Sequence, residues 1–392
     1  MPRRGSRIAS AACAWAFIAC SDGGGNLGDS GPDSAFDAGW ALDSEIIADA
    51  GLDAGPADSS CLPNVDDLPE VTQLSERGFE VLMKGLLFPT HLELLGERVF
   101  VQATMIEGGI YSVDQRGCDP QQHHPVDGGP EVLSKHESTS SLYWVDAFGG
   151  QLYRLREGEV LATPIGAPRA VGATLAGLAP SDLGLYWLDP RCALHRTSLL
   201  GDVEVALTAT TGERGLGVKA WGAEGAVGLC EGSPGTLFTW SATSAASRVV
   251  WSMPRREAWL LRVHGSVAYL AQPECDNYAT ACRLQMPGCC PGSLVSVDLT
   301  TGSSTTLALD EFGPPLAMAT TDRGEILYSN GVQLRWLGAG PEAPRVILNQ
   351  PGVEGIQVDH TAAYWSSPRR LGDLVDGLGY VVKAPLSALR SK

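Results

Sequence analysis

The chain has 392 residues, 44% of them hydrophobic and 19% charged, which is long and apolar enough to bury a large core. Its formal net charge of −17 speaks against nucleic acid as a partner and against electrostatic docking on anionic lipid. The 47 glycines and 25 prolines follow no strict period, as expected for many short strands joined by turns.

The first 60 residues do not look like part of a packed body. Residues 1–19 carry Arg3, Arg4 and Arg7 and no acid, and Ile8–Ala19 is apolar. That run is too short to span a bilayer as a permanent helix and has the build of a signal-peptide core behind a basic start. It ends in Phe17-Ile18-Ala19-Cys20, which resembles the lipobox of bacterial lipoproteins, with Phe17 in place of the usual Leu. The resemblance implies cleavage before Cys20 and diacylation of Cys20. Residues 21–60 then hold nine acids and no Lys or Arg, in recurring Asp-Ala-Gly and Asp-Ser-Gly units. With no apolar period they cannot offset their chain entropy, and they read as a disordered tether reaching on the order of 30–40 Å. Their aspartates lack the spacing of an EF-hand calcium loop.

Beyond residue 79 the pattern is that of strands. Leu142–Leu155, LYWVDAFGGQLYRL, places two short apolar runs around Gly149 and Gly150, a β-hairpin signal. The phrase returns at Leu185–Leu199 and, more loosely, as ILYSN at 326–330 and AYWSS at 363–367. A hairpin recurring every forty-odd residues indicates a repeat architecture. In a propeller blade of strands A to D, strand B is the most apolar, because both its faces meet neighbouring blades. Seven runs fit strand B: Arg98–Ala103, Leu142–Val145, Leu185–Leu188, Ala226–Cys230, Val267–Ala271, Ile326–Ser329 and Ala362–Ser366. Outer D strands include Val160–Pro164, and for the first blade either 121–126 or 131–134. A D-like run, Phe79–Lys84, precedes the first A strand, and the chain ends on a C strand at Val381–Leu386. The N-terminal strand is therefore expected to complete the last blade, which removes two open sheet edges. The expected fold is an all-β, seven-bladed β-propeller over 61–392, with six or eight blades as alternatives. A signal peptide over 1–19 and the lipid-anchored linker 20–60 precede it.

The phrases Tyr143-Trp144-Val145-Asp146 and Tyr186-Trp187-Leu188-Asp189 resemble the YWTD repeats of low-density-lipoprotein-receptor-type propellers. They also look like strand phrases of bacterial lipoproteins. The resemblance implies that Asp146 and Asp189 cap strand ends, and that Tyr143, Trp144, Tyr186, Trp187, Tyr364 and Trp365 pack between blades. Because side chains alternate along a strand, Tyr143 and Trp144 must face opposite sides of their blade.

With Cys13 in the signal and Cys20 at the anchor, eight cysteines remain, an even number suited to disulfides in an exported chain. In a propeller the B–C and D–A loops share one face, and the A–B and C–D loops share the other. This pairs Cys61 with Cys118 and Cys192 with Cys230. Cys275, Cys282, Cys289 and Cys290 all fall in one insertion, Gln272–Gly292, within the fifth B–C hairpin. A loop of that size needs internal cross-links, and two disulfides would supply them. A zinc site is the weaker alternative, since the spacing lacks the usual short knuckles. A second long B–C excursion, Ser366–Gly379, carries Arg369 and Arg370, candidates for meeting an acidic partner or else solvated beside Asp373 and Asp376.

Catalytic signatures are lacking: there is no H-E-x-x-H, G-x-S-x-G or Walker-type loop. Gly222, Gly225 and Gly228 suit a turn. His123 and His124 stand between Pro120 and Pro125, an exposed-loop context ill suited to ligation. His91, at the start of the first A strand, and His360, beside Asp359, are placed to approach the channel mouth. The resulting expectation is a monomeric, non-catalytic cell-envelope lipoprotein, held at the membrane by its lipid alone. It would use its B–C face to bind a protein, peptide or glycan, with no cofactor, no metal and no catalytic residue. The alternative is a lactonase-like hydrolase or lyase with a divalent metal at the channel mouth.

Overall fold

The computed structural model describes residues 62–63, 74 and 76–391, apart from 104–107, 127–129, 147–149, 167–174, 176, 190, 202–203, 209–213, 223–224, 233, 254–257, 276–289, 341, 351 and 368–377. These residues form seven four-stranded antiparallel sheets, a seven-bladed β-propeller. The innermost strands A of blades 1 to 7 are Pro89–Leu95, Pro130–His136, Leu178–Ser181, Arg214–Trp221, Trp259–His264, Ala317–Thr320 and Gly355–Val358. Each neighbours the next, and the last neighbours the first, so the seven strands ring a central channel. Gln121–Val126 is the D strand of blade 1 and Pro130–His136 the A strand of blade 2, which assigns the two runs that competed in the sequence.

Ring closure follows the predicted route. Glu80–Leu87 pairs antiparallel with Leu378–Pro385, with Val81 opposite Val382 and Lys84 opposite Tyr380. Leu378–Pro385 in turn pairs with strand B of blade 7, Ala362–Ser367. Just upstream, Phe79 meets the Trp365 ring edge-on at 5.6 Å. Where blades 7 and 1 meet, a side chain at Gly355 would collide with the Thr90 carbonyl, so the close approach of the two inner strands needs glycine there.

The B strands are largely buried, and wholly so in Gly184–Leu188 and Ala362–Ser367. Polar contacts then tie neighbouring blades together. Arg248 Nη2 of blade 4 donates to Leu299 O of blade 5, and Trp259 Nε1 of blade 5 donates to Pro315 O of blade 6 at 2.9 Å. Lys383 Nζ of blade 7 donates to Gln115 O of blade 1 at 2.7 Å.

Some local expectations need correction. The D strand of blade 2 is Thr163–Ile165 rather than Val160–Pro164, and Val160 and Leu161 are 57% and 71% exposed. The reason is non-local: the Val160 carbonyl accepts from His123 Nδ1 of blade 1 at 2.8 Å, so this segment joins its neighbour before entering its own sheet. The chain does not end on the C strand, because a short helix, Leu386–Arg390, follows it. Its last residue pairs with Glu325 at 2.6 Å. Gly228 lies inside strand B of blade 4 rather than in a turn, where Phe238 occupies the space a side chain would need.

Candidate functional site

Two regions concentrate chemistry: the face carrying the B–C connections, and the channel lined by the A strands.

On the B–C face, Cys192 and Cys230 form a disulfide between blades 3 and 4, with Cα atoms 5.9 Å apart. Cys275 and Cys290 form another, Cα atoms 5.8 Å apart, across the base of the blade 5 insertion. Glu274 N donates to Pro291 O at 2.8 Å beside it, extending the ladder by one step. Cys118 is disulfide-bonded. Its expected partner, Cys61, lies outside the described residues, but the adjoining Leu62 lies over Gly117, next to Cys118. Cys20, Cys282, Cys289, Arg369 and Arg370 also lie outside the described residues.

Next to the Cys275–Cys290 bridge a cleft of about 460 Å³ opens between blades 5 and 6, lined by Glu274, Pro291, Gly292, Leu309, Asp310, Glu311 and Arg335. Its floor is a fixed polar cluster. The buried Asp310 carboxylate accepts from Arg335 Nη1 at 2.8 Å, from Asn330 Nδ2 at 2.9 Å and from Phe312 N at 3.0 Å. A buried charge so paired is tolerable, and it holds the cleft wall in one geometry. Burial pushes the nearby Tyr328 hydroxyl up to about 12, so it stays protonated.

The capping role of the strand-end aspartate is visible at Asp189, whose Oδ1 accepts from Arg191 N at 2.9 Å and Ala193 N at 2.7 Å. In blade 6 Asn330 takes the same part, accepting from Val332 N and Gln333 N.

The histidines separate by environment. His123 lies in a strand rather than an exposed loop, and both ring nitrogens are engaged. Nδ1 donates to Val160 O, so Nε2 of the neutral ring accepts from Ser112 Oγ at 2.7 Å. Burial holds its pKa below the usual value, consistent with that neutral ring. His124 packs on Tyr153 with centroids 4.1 Å apart. His360 is exposed in the A–B turn of blade 7, where the Asp359 carboxylate is taken up by Thr361, Ala362 and Tyr364. His91 lies on strand A of blade 1. There Gly355 abuts Thr90 and Gln357 Nε2 donates to Leu92 O, so strand A of blade 7 runs alongside. His91 is thus level with the start of that strand and His360 lies beyond its end. The two histidines sit at opposite mouths of the channel, so they cannot share one metal ion. Among the described residues no group of three or more His, Cys, Asp and Glu side chains is arranged to hold a metal.

The channel holds a charged cluster that no local motif announces. Glu93 of blade 1 accepts from Gln357 Nε2 of blade 7 at 3.1 Å, and Gln357 Oε1 accepts from Arg262 Nη1 of blade 5 at 3.2 Å. Lys219 of blade 4 couples electrostatically to Glu93, Arg262 and His91. Blades 1 and 4 are three apart in a ring of seven, so this coupling runs across the axis. Burial raises the Glu93 carboxyl to about 7, against the pull of Arg262, Lys219 and Lys135. Burial, with Lys219 adding to it, pushes the His91 imidazole down to about 4. His91 touches solvent, but the water is that of a channel walled by seven blades, which stabilises charge poorly. At the same mouth, burial raises Glu354 to about 7. The residues are not legible as a motif because separate inner strands each contribute only one or two ordinary polar or charged side chains. The available signal was their common place on A strands.

No protein-family model matches the chain, and no curated protein matches it. Solved propellers do. The WD40 repeats of RRP9 superpose with a TM-score of 0.58 at 12% identity, covering 78% of this chain and 97% of that one. A catalytically inactive virginiamycin B lyase from Staphylococcus aureus, determined with quinupristin, gives 0.57 at 8% identity, covering 77% and 99%. A chain of a nidogen/laminin complex gives 0.43 at 14% identity, covering 58% and 84%. For the first two, at these identities, the likeness is one of fold.

Proposed function

We propose that this protein is an exported lipoprotein, anchored through Cys20, whose propeller is a non-catalytic binding module for a protein, peptide or glycan. The disulfides call for an oxidising compartment, extracellular or periplasmic, and no helix among the described residues is long and apolar enough to cross a membrane. The observation that carries the reading is the rooted insertion on the B–C face. The Cys275–Cys290 bridge clamps both ends of the segment between blade 5's B and C strands, directly beside a preformed cleft. Loops held at their base by a rigid scaffold are where propellers and other β folds place recognition.

The test is site-specific photocrosslinking on intact cells. A crosslinker at position 280 in the insertion is expected to trap a partner, while one at Leu161, on the opposite face, is not. Equal trapping from both sites would sink the reading. Separately, Cys20→Ser is expected to release the protein from the membrane fraction.

A hydrolase or lyase reading draws on one observation, the unprotonated His91 imidazole near the carboxyl-bearing mouth. Stoichiometric divalent metal in the purified protein, lost on His91→Ala, would favour it.

A further inference from the structure

We propose that the middle of the channel is a binding site for a small oxyanion, gripped by Lys219 of blade 4 and Arg262 of blade 5. The inference does not depend on the B–C loops or on what they bind.

The first argument is charge. The chain is acidic overall, yet Lys219, Arg262 and Lys135 all pull on the Glu93 carboxyl in the channel. Lys135 is taken by Glu137 at 2.9 Å. The inner strands of blades 3 and 6, Leu178–Ser181 and Ala317–Thr320, bring no charge. With Lys135 held by Glu137, Lys219 and Arg262 are left beside Glu93, and low-dielectric walls focus their field.

The second argument is unfilled donor capacity. A guanidinium has five N–H donors and an ammonium three. Among the described residues Arg262 uses one, to Gln357 Oε1, and Lys219 donates no hydrogen bond. Gln357 fixes the Arg262 fork by bridging it to Glu93, because its own amide is spent on Leu92 O and Glu93 Oε2. An ammonium and a guanidinium held by Gln357, both with donors to spare, match the oxygens of a carboxylate or a phosphate. His91 adds a neutral N–H at the mouth through which such an ion would enter.

The third argument is that Glu93 is a poor permanent counterion. Its burial cost outweighs the attraction of the cations around it. An exogenous anion that brings its charge between Lys219 and Arg262, with Glu93 protonated, relieves both.

Isothermal titration calorimetry of the mature chain in chloride buffer at near-neutral pH tests this, with inorganic phosphate and acetate as separate titrants. At least one is expected to bind with a Kd below about 1 mM. Which of the two binds tells a phosphate from a carboxylate site. Lys219→Met and Arg262→Met should each weaken that binding at least about tenfold, whereas Lys135→Met should change it less than about threefold. Glu93→Gln, a near-isostere that leaves the cations unopposed, should tighten it, and serves if the cation variants do not fold. The proposal is overturned if neither titrant binds at about 10 mM, if folded Lys219 and Arg262 variants bind like wild type, or if Glu93→Gln leaves affinity unchanged.

Discussion

Tyr143 and Trp144 are consecutive residues buried against different blades. Tyr143 packs with Leu178, Leu185 and Trp187 of blade 3, and Trp144 with Leu95, Phe100 and Ile110 of blade 1. The arrangement repeats with the same hand. Tyr186 faces blade 4 and Trp187 blade 2, while Tyr364 faces blade 1 and Trp365 blade 6. A strand with both faces covered cannot show polar alternation, so each Tyr-Trp pair pins its blade to two neighbours at once.

Truncating either member should therefore be costly and local to one interface. Tyr143→Ala and Trp144→Ala should each lower unfolding free energy by about 3–5 kcal/mol, the range for emptying a packed aromatic site. Tyr364→Phe keeps the ring but loses the 2.9 Å bond from its hydroxyl to Asp359. It should cost about 1 kcal/mol. Guanidinium titrations followed by tryptophan fluorescence separate the two scales.

The closing strand should behave as core despite its place near the N-terminus. Leu82 is 2% exposed and packs with Val99, Tyr364 and Val381. Leu82→Ala should cost about 2–4 kcal/mol. Leu161→Ala, at a residue 71% exposed, should stay within about 0.5 kcal/mol of wild type. Equal effects of the two in denaturant titrations would mean that the ring is not sealed by this strand.

Seven hairpins and their closure could be read from the chain because strand B carries its burial in its own residues. Blade 6 shows how far the phrase can drift. Leu327 faces blade 7 in the Tyr position, Tyr328 faces blade 5 in the Trp position, and Asn330 replaces the capping Asp. The spacing of aromatic residues slips there while the alternation of faces persists. Val160 stays out of the D strand because its carbonyl is claimed by His123, 37 residues earlier. The channel cluster was not legible for a deeper reason. Glu93, Lys219, Arg262 and Gln357 have no sequence spacing in common and meet only once the ring has closed.

The Cys192–Cys230 bridge should contribute measurably to stability. It closes a segment with a sequence separation of 38 and joins two blades whose cysteines are fully buried. The chain-entropy model puts its contribution at about 3–4 kcal/mol. Cys192→Ala/Cys230→Ala should shift the denaturation midpoint accordingly under oxidising conditions, and adding a reductant should lower wild type more than the double variant. A reductant that affects both equally would assign the stabilisation elsewhere.

Glu93 should give the fold a specific pH signature. Burial raises its carboxyl from 4.5 to about 7 in the folded chain. A group whose folded pKa lies above its unfolded value contributes fully below the unfolded value, and the contribution is lost as pH rises through the folded one. Wild type should therefore lose stability between about pH 4.5 and pH 7 on account of this group. Glu354 acts in the same sense, and His91, lowered from 6.5 to about 4, in the opposite sense, costing stability as pH falls between those values. Comparing wild type with Glu93→Gln removes both contributions, because they are common to the two proteins. The variant should gain on wild type by roughly 2–3 kcal/mol between pH 4.5 and pH 8, from denaturant titrations at each pH. A difference that stays flat across that window would show that Glu93 ionises freely, as it would on an open surface and not in an enclosed channel.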